Sequence, residues 1–235
     1  MNTMLTEHHF DDRAGLFAAL QKHIESQLSQ GLAENSKASI ALSGGSTPAP
    51  LYESLAQSSA VDWSAIEVTL SDERYVPVDH ADSNEAMIHR TLLQGPAAAA
   101  SFVSLMQSTD SAEQAAQISS DSLAKMQLPL DLLILGMGND MHTASLFPDA
   151  AELQQAMSPE QQQLCLAIHP ASSEYPRLSM SLNMLLNSRE IVLLITGEDK
   201  YETLQKALAS ESTEQAPIAA ILQQSTVPVH IYWSP

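Results

Sequence analysis

The chain has 235 residues, 44% of them hydrophobic, and carries 28 acidic against 10 basic side chains for a formal charge of −18. That length suits one globular domain, read over 1–235, with enough apolar material for a sizeable core, while the negative field opposes nucleic acid and anionic membrane surfaces. No run approaches the roughly 18 to 20 apolar residues of a membrane-spanning helix, and the opening MNTMLTEHHFDD lacks a basic stretch followed by a long apolar one, so a cytoplasmic protein is expected.

Along the chain, EHHFDD (7–12) places two adjacent histidines on an extended segment. They face opposite ways, which argues against a shared metal, and the acids sit where a helix cap belongs, so the segment reads as a solvated entry. A helical pattern follows from Arg13 to Gln30, with Asp11 or Asp12 as its cap. Strands and helices then alternate. Apolar runs rich in Leu or β-branched residues start at Ala38 (ASIALS), Ile66 (IEVTLS), Phe102 (FVSL), Leu130 (LDLLILG), Leu164 (LCLAIH), Ile191 (IVLLITG) and Val229 (VHIYW). Helical patterns lie at Pro48 to Gln57, Ser83 to Leu93, Ser111 to Met126, Ser181 to Asn187, Lys200 to Ala209 and Ile218 to Gln224, with Thr47 and Ser83 as further cap candidates. Runs that are apolar without alternation indicate strands covered on both faces. Their alternation with helices predicts an α/β fold with a mostly parallel, doubly wound sheet. Cys165, the single cysteine, lies inside LCLAIH and reads as a small core residue that forms no internal disulfide.

Open parallel sheets bind ligands beyond the carboxyl ends of their strands. Five apolar runs end in polar loops there: SGGSTP (43–48), SDERYVP (71–77), GMGNDMHT (136–143), HPASSEYPR (169–177) and TGEDK (196–200). Three of the ten cations, Arg74, Arg177 and Lys200, fall in these loops or at their edges. In so acidic a chain their position is informative, because local donors outweigh a field screened over a Debye length of about 8 to 10 Å.

The loop Gly44, Gly45, Ser46 and Thr47 opens a helix, a geometry that points backbone N–H groups and a helix dipole at an anion. A tight connection with ordinary capping would look similar. The loop lacks GK[ST] and G-x-S-x-G, so it is neither a Walker A loop nor a nucleophile elbow, and a phosphomonoester is its natural ligand, with no need for Mg²⁺. GMGNDM holds two glycines of a dinucleotide fingerprint, but Met141 replaces the third and Pro148 breaks the helix that would receive a pyrophosphate. His142 lies beside Asp140 in a glycine-flexed loop, where an imidazole suits proton transfer near neutral pH; a solvated histidine is the plainer alternative, and the one that serves for His169. A surface salt bridge would equally explain Asp72, Glu73 and Arg74 in SDER, and Lys200 could simply open an exposed helix.

Five motifs in order carry a resemblance over nearly the whole chain: LSGGSTPAPLY, SDERYVPVDHADSNEAMIHRTLL, DLLILGMGNDMHTASLFP, YPRLSMSLNMLLNSREIVLLITGEDKYETLQKAL and PIAAILQQS. The chain resembles the 6-phosphogluconolactonases of the glucosamine-6-phosphate isomerase-like superfamily. The resemblance implies that fold and hydrolysis of 6-phospho-D-glucono-1,5-lactone, the second step of the oxidative pentose phosphate pathway, with no cofactor and no metal. It places the phosphate loop on Gly44, Gly45, Ser46 and Thr47, the anion-contacting cations on Arg74, Arg177 and Lys200, and the catalytic histidine on His142 with Asp140 alongside. Arg74 is the candidate for either the oxyanion or the phosphate. Met141 departs from the glycine usual before that histidine, and positive φ is expected there. An amino-sugar phosphate deaminase of the same fold would continue H-I-A-F-N-E-P after the histidine, whereas HTASLFP has no acid at the position of that glutamate. A sensing module without turnover would have lost His142. The partner expected is a small phosphosugar lactone, and the protein a monomer or small homo-oligomer.

Overall fold

The apolar runs pair as parallel strands. In the computed structural model, which describes residues 4–235, the elements are β1 (Leu5–His9), α1 (Arg13–Asn35), β2 (Ala38–Leu42), α2 (Ala49–Ala56), β3 (Ile66–Leu70), β4 (Asp72–Arg74), α3 (Asn84–Thr91), β5 (Ser101–Phe102), α4 (Ala112–Leu123), β6 (Leu132–Leu135), α5 (Leu153–Ala156), β7 (Cys165–Ile168), β8 (Arg177–Met180), α6 (Leu182–Leu186), β9 (Ile191–Thr196), α7 (Glu198–Leu208), α8 (Ala219–Leu222) and β10 (Val229–Ser234). Seven strands form one parallel sheet in the order β1-β10-β9-β6-β2-β3-β5, and β4-β8-β7 form a small antiparallel sheet.

Burial explains the pattern. Strands β2, β6 and β7 are buried at every residue, as continuous apolarity requires. Helix α1 turns Leu16, Leu20, Ile24 and Leu28 inward at i, i+4 spacing, and each is fully buried, a stabilisation of about 1.5–3 kcal/mol per side chain. Asp12 caps this helix by accepting from the Gly15 N–H at 2.7 Å. Cys165 is buried, and burial pushes its thiol up.

Four expectations are corrected. The EHHFDD segment is not a solvated entry: residues 5–9 form edge strand β1, whose His8 ring stacks on Tyr232 at 4.7 Å and His230 at 5.3 Å, while His9 is exposed on the other face; residues 1–3 lie outside the described residues. LCLAIH is a strand, but it pairs antiparallel with β8, because continuous apolarity reports burial of both faces and not the direction of pairing. The SDER loop is largely strand β4. Thr47 does not cap α2; Pro48 holds the cap position and makes no side-chain bond.

The sheet order carries a functional consequence. From β2 the chain moves outward through β3 to β5, then returns to β6 on the other side of β2 and moves away through β9 to β10. The connections of β2 and β6 therefore diverge, and the crevice opens beyond their carboxyl ends. Into it runs the loop after β6, where Met141 N–H donates to Gly138 O (3.0 Å), Gly138 N–H to His142 O (2.9 Å) and Thr143 Oγ1 to Gly136 O (2.9 Å). Closing these turns takes Met141 to φ 65° and Ala144 to φ 48°, a left-handed conformation that strains a side chain bearing a Cβ.

The small sheet is tied down by one buried carboxylate. Fully buried Glu73 accepts from the backbone N–H groups of Arg74 (2.7 Å), Asn84 (2.8 Å) and Glu85 (2.7 Å) and from Ser83 Oγ (3.1 Å), so it fastens the start of α3 to β4. Burial raises its carboxyl above the ordinary range, and the three N–H donors pull against that shift.

Two stability predictions follow from these contacts. In Glu73→Gln one acceptor oxygen becomes an NH₂ facing backbone donors, so removing the charge is expected to destabilise the fold by about 2–3 kcal/mol, read from denaturant midpoints. At Met141 both Gly and Ala give up the half-buried thioether, but only Gly releases the strain. Met141→Gly should therefore be about 1 kcal/mol more stable than Met141→Ala, the reverse of the order found at a residue with negative φ.

Candidate active site

Four strand ends of the parallel sheet supply the crevice, a cleft of about 250 Å³. Ser43, Gly44, Gly45, Thr47 and Pro48 enter from β2, Gly136, Met137, Gly138, His142 and Ala144 from β6, and Leu194, Ile195, Thr196 and Lys200 from β9. Asp72, Arg74 and Asn84 close it from the far side of β3.

The loop after β2 is held from both ends. Buried Tyr52, in the first turn of α2, donates its hydroxyl to Ser43 O at 3.0 Å. Gly44 is required by a close approach: a Cβ there would lie 2.0 Å from Asn84 Oδ1. Asn84 in turn donates to Asp72 O at 2.9 Å. Gly45 takes φ 98°. Helices α1, α3, α4 and α6 begin with Asp or Ser caps that bond their own first turn, whereas α2, which starts at this cleft, has, like α5, α7 and α8, no side-chain cap. Its first N–H groups and positive dipole end are left for a ligand.

The three cations expected at the site bond to neutral partners. Lys200 Nζ donates to Met137 O at 2.8 Å, bridging β9 to the loop after β6. Arg74 donates to Asp82 O at 2.5 Å, and Arg177 to Ser173 Oγ at 2.9 and 3.2 Å. No carboxylate forms an ion pair with any of the three among the described residues. Arg74 and Arg177 are direct cross-strand partners on β4 and β8, and burial together with the neighbouring Arg74 charge lowers the Arg177 guanidinium from its ordinary value. Two adjacent guanidinium groups with neutral partners constitute an anion-attracting edge.

His142 and Asp140 are joined: His142 Nδ1 lies 2.6 Å from Asp140 Oδ1. An ionised carboxylate only accepts, so the proton sits on Nδ1 and the Nε2 lone pair is left free. The side chain of His142 is 28% exposed and that of Asp140 46%; His142 lines the cleft, and Asp140 stands behind it. Gly138 makes room for the pair, since a Cβ on it would fall 2.2 Å from His142 Nδ1.

Not all the expected residues converge. Ser46 is exposed and does not line the cleft. Arg177 occupies an adjoining recess of about 280 Å³ with Phe147 and Ser173, and Arg74 lines both spaces. The loop HPASSEYPR belongs to that recess because β7 lies in the small sheet. His169 bonds Glu152 at 3.0 Å and is far from playing the part of His142 at the cleft. Sequence reasoning missed Asn84, Ser145 and Phe147. Ser145 Oγ donates to Asp72 Oδ2 at 2.6 Å, pinning the loop after β6 to β4. Each of the three lies inside a motif quoted above, but a Ser, Asn or Phe there has no role legible in sequence until its partner is known in three dimensions. Among the described residues, no three His, Cys, Asp or Glu side chains converge in a way that would hold a metal ion.

Comparison with known proteins identifies the family. The family model described as Glucosamine-6-phosphate isomerases/6-phosphogluconolactonase matches residues 11–233. The 6-phosphogluconolactonase of Pseudomonas aeruginosa is 40% identical over 92% of this chain and 89% of its own, and that of Rhizobium meliloti 38% identical over 97% and 98%. Among solved structures, a 6-phosphogluconolactonase from Shewanella baltica OS155 superposes with a TM-score of 0.96 at 39% identity, covering 100% of both chains. Nearly end-to-end similarity, in sequence and in structure, shows that this chain belongs to the glucosamine-6-phosphate isomerase/6-phosphogluconolactonase family.

Proposed function

We propose that the chain is a 6-phosphogluconolactonase, hydrolysing 6-phospho-D-glucono-1,5-lactone to 6-phospho-D-gluconate in the oxidative pentose phosphate pathway. The observation that carries this reading is the pairing of a carboxylate-held imidazole with cations that lack carboxylate partners, across one cleft. The lactonase names of relatives near 40% identity support it.

Asp140 keeps Nδ1 protonated, so His142 Nε2 takes a proton from water as the water oxygen attacks the lactone carbonyl. The carbonyl pair moves onto oxygen, where Arg74 or a loop N–H donates to the oxyanion. Collapse of the tetrahedral intermediate breaks the bond from C1 to the ring oxygen, and the imidazolium returns its proton to that oxygen. The acid formed ionises to 6-phosphogluconate. The phosphate is held by Gly44, Gly45 and Thr47, the open start of α2 and Lys200, with Ser46 at the loop's outer edge and Arg177 extending the positive edge from the next recess. Its grip fixes the ring against His142, so binding energy remote from the reacting carbon is used for positioning. No cofactor or metal enters these steps.

A deaminase reading is disfavoured because Phe147 stands where that branch carries its glutamate, so the acid for ring opening is missing. We read residues 1–235 as one domain acting in the cytoplasm as a monomer or small homo-oligomer on a small phosphosugar, with no nucleic acid or membrane partner. No helix among the described residues is long and apolar enough to cross a membrane.

The test is lactone hydrolysis with substrate generated in situ and corrected for its spontaneous rate, alongside ammonia release from glucosamine 6-phosphate. Lactonase activity without ammonia release is expected, and the reverse overturns the reading. Replacing His142 by Ala should lower kcat by about 10²- to 10⁴-fold with KM little changed. Lys200→Ala should instead raise KM, since its contact to phosphate is present in ground and transition states alike. Activity should survive EDTA, and a loss restored by a divalent ion would contradict the mechanism.

A further inference from the structure

We propose that Phe147 is a positioning residue that fixes the plane of the His142 imidazole. The inference rests on His142 acting as the base. Asp140 restrains one atom of the ring and leaves a coupled change of the two side-chain torsions, a tilt of the ring plane, open. The backbone around the histidine is already constrained, by the Gly138 to His142 turn and by the left-handed residues Met141 and Ala144. The remaining freedom is the tilt of the ring, and Phe147 removes it: its ring stacks on His142 with centroids 4.0 Å apart and planes 26° apart. Phe147 is itself only 9% exposed, so it presents a fixed face. The stack directs Nε2 to one point of the cleft, and the π face also favours the imidazolium formed when water gives up its proton.

The same phenyl ring lies under the Arg177 guanidinium, with Cζ 5.9 Å from its centroid. Phe147 therefore lies between the cleft that holds His142 and the recess that holds Arg177, and it sets the base in register with the positive edge. An aliphatic side chain of similar volume would fill this space without orienting either partner.

The test compares Phe147→Leu, which keeps apolar volume and loses the flat face, with Phe147→Tyr, which keeps both. Expected for Leu is a fall in kcat of about tenfold with KM within about twofold of the parent, the scale of a misaligned reacting group, and near-parental kcat for Tyr. The proton on Cε1 of His142, identified by its absence in His142→Ala, should resonate upfield in the parent and in Tyr through the ring current, and move downfield in Leu. Parental kcat in Leu, or an equal loss in Leu and Tyr, overturns the proposal. So does an unshifted His142 resonance in the parent, which needs no variant that must fold. Full kcat in His142→Ala would sink the base assignment instead, and the ring-current measurement separates the two failures because it does not depend on turnover.

Discussion

The site depends on one topological constraint: adjacent parallel strands β2 and β6 send their chains in opposite directions. A parallel ladder fixes the relative height of the two strand ends, through the pairs Ile40 with Leu132 and Ala41 with Leu133. The loop after β2 and the loop after β6 therefore start from neighbouring points on a rigid edge, and neither has to search for the other. Strand β9 adds Lys200 on the other side of β6, and its bond to Met137 O ties the third loop to the second. The chemistry lies where a buried run stops because that is where a covered sheet first has backbone and side chains to give to a ligand.

Electrostatics then sorts the cleft from the rest of an acidic surface. With a formal charge of −18, carboxylates far outnumber cations, yet among the described residues only Lys37, with Glu67, and Arg189, with Glu34 and Asp131, form Lys or Arg ion pairs. Arg74, Arg177 and Lys200 bond instead to carbonyl and hydroxyl oxygens. Such partners orient a cation without forming an ion pair, although the charges of Asp72, Glu73 and Asp82 still act on Arg177 from further off. Asp72 is the acid at the same cleft, held by Ser145, and an acceptor there suits sugar hydroxyls better than phosphate oxygens.

Much of this was legible in the residues, and the limits have physical causes. Long apolar runs and capped helices announce themselves, because burial of both sheet faces and the first-turn N–H groups leave compositional marks; Asp12 and Ser83 cap as expected. Strands β1, β4 and β8 carry no such mark. Their residues LTEHH, DER and RLSM are not continuously apolar, and pairing makes them strands: the exposed and polar residues of LTEHH are held by a full ladder to β10. Direction of pairing is silent too, which is why β7 was expected in the parallel sheet. At the site, motif residues were visible because their chemistry is unusual for a loop. Asn84 and Phe147 act through contacts closed only in three dimensions, the one against Gly44 and the other against His142. Arg177 has the right chemistry, and its place beside Arg74 rather than Lys200 follows from β8 joining the small sheet.

Met141 shows how the two levels of description meet. Its positive φ could be expected from the glycine usual at that position, yet the reason for that φ lies in the hydrogen bonds around it: its N–H turns back to Gly138 O, and its carbonyl accepts from Ile218 N–H at 3.1 Å. Both ends of the peptide are claimed, so the backbone cannot relax to negative φ without giving up two bonds, each worth about 1 kcal/mol net. That exceeds or equals the strain of roughly 1 kcal/mol that a Cβ stores in the left-handed region. A methionine is thus tolerated where glycine would be relaxed, and its half-buried side chain returns part of the cost by packing against the core. The loop keeps its shape whichever residue occupies the position, because the hydrogen bonds on either side of it, and not the side chain, determine where His142 stands.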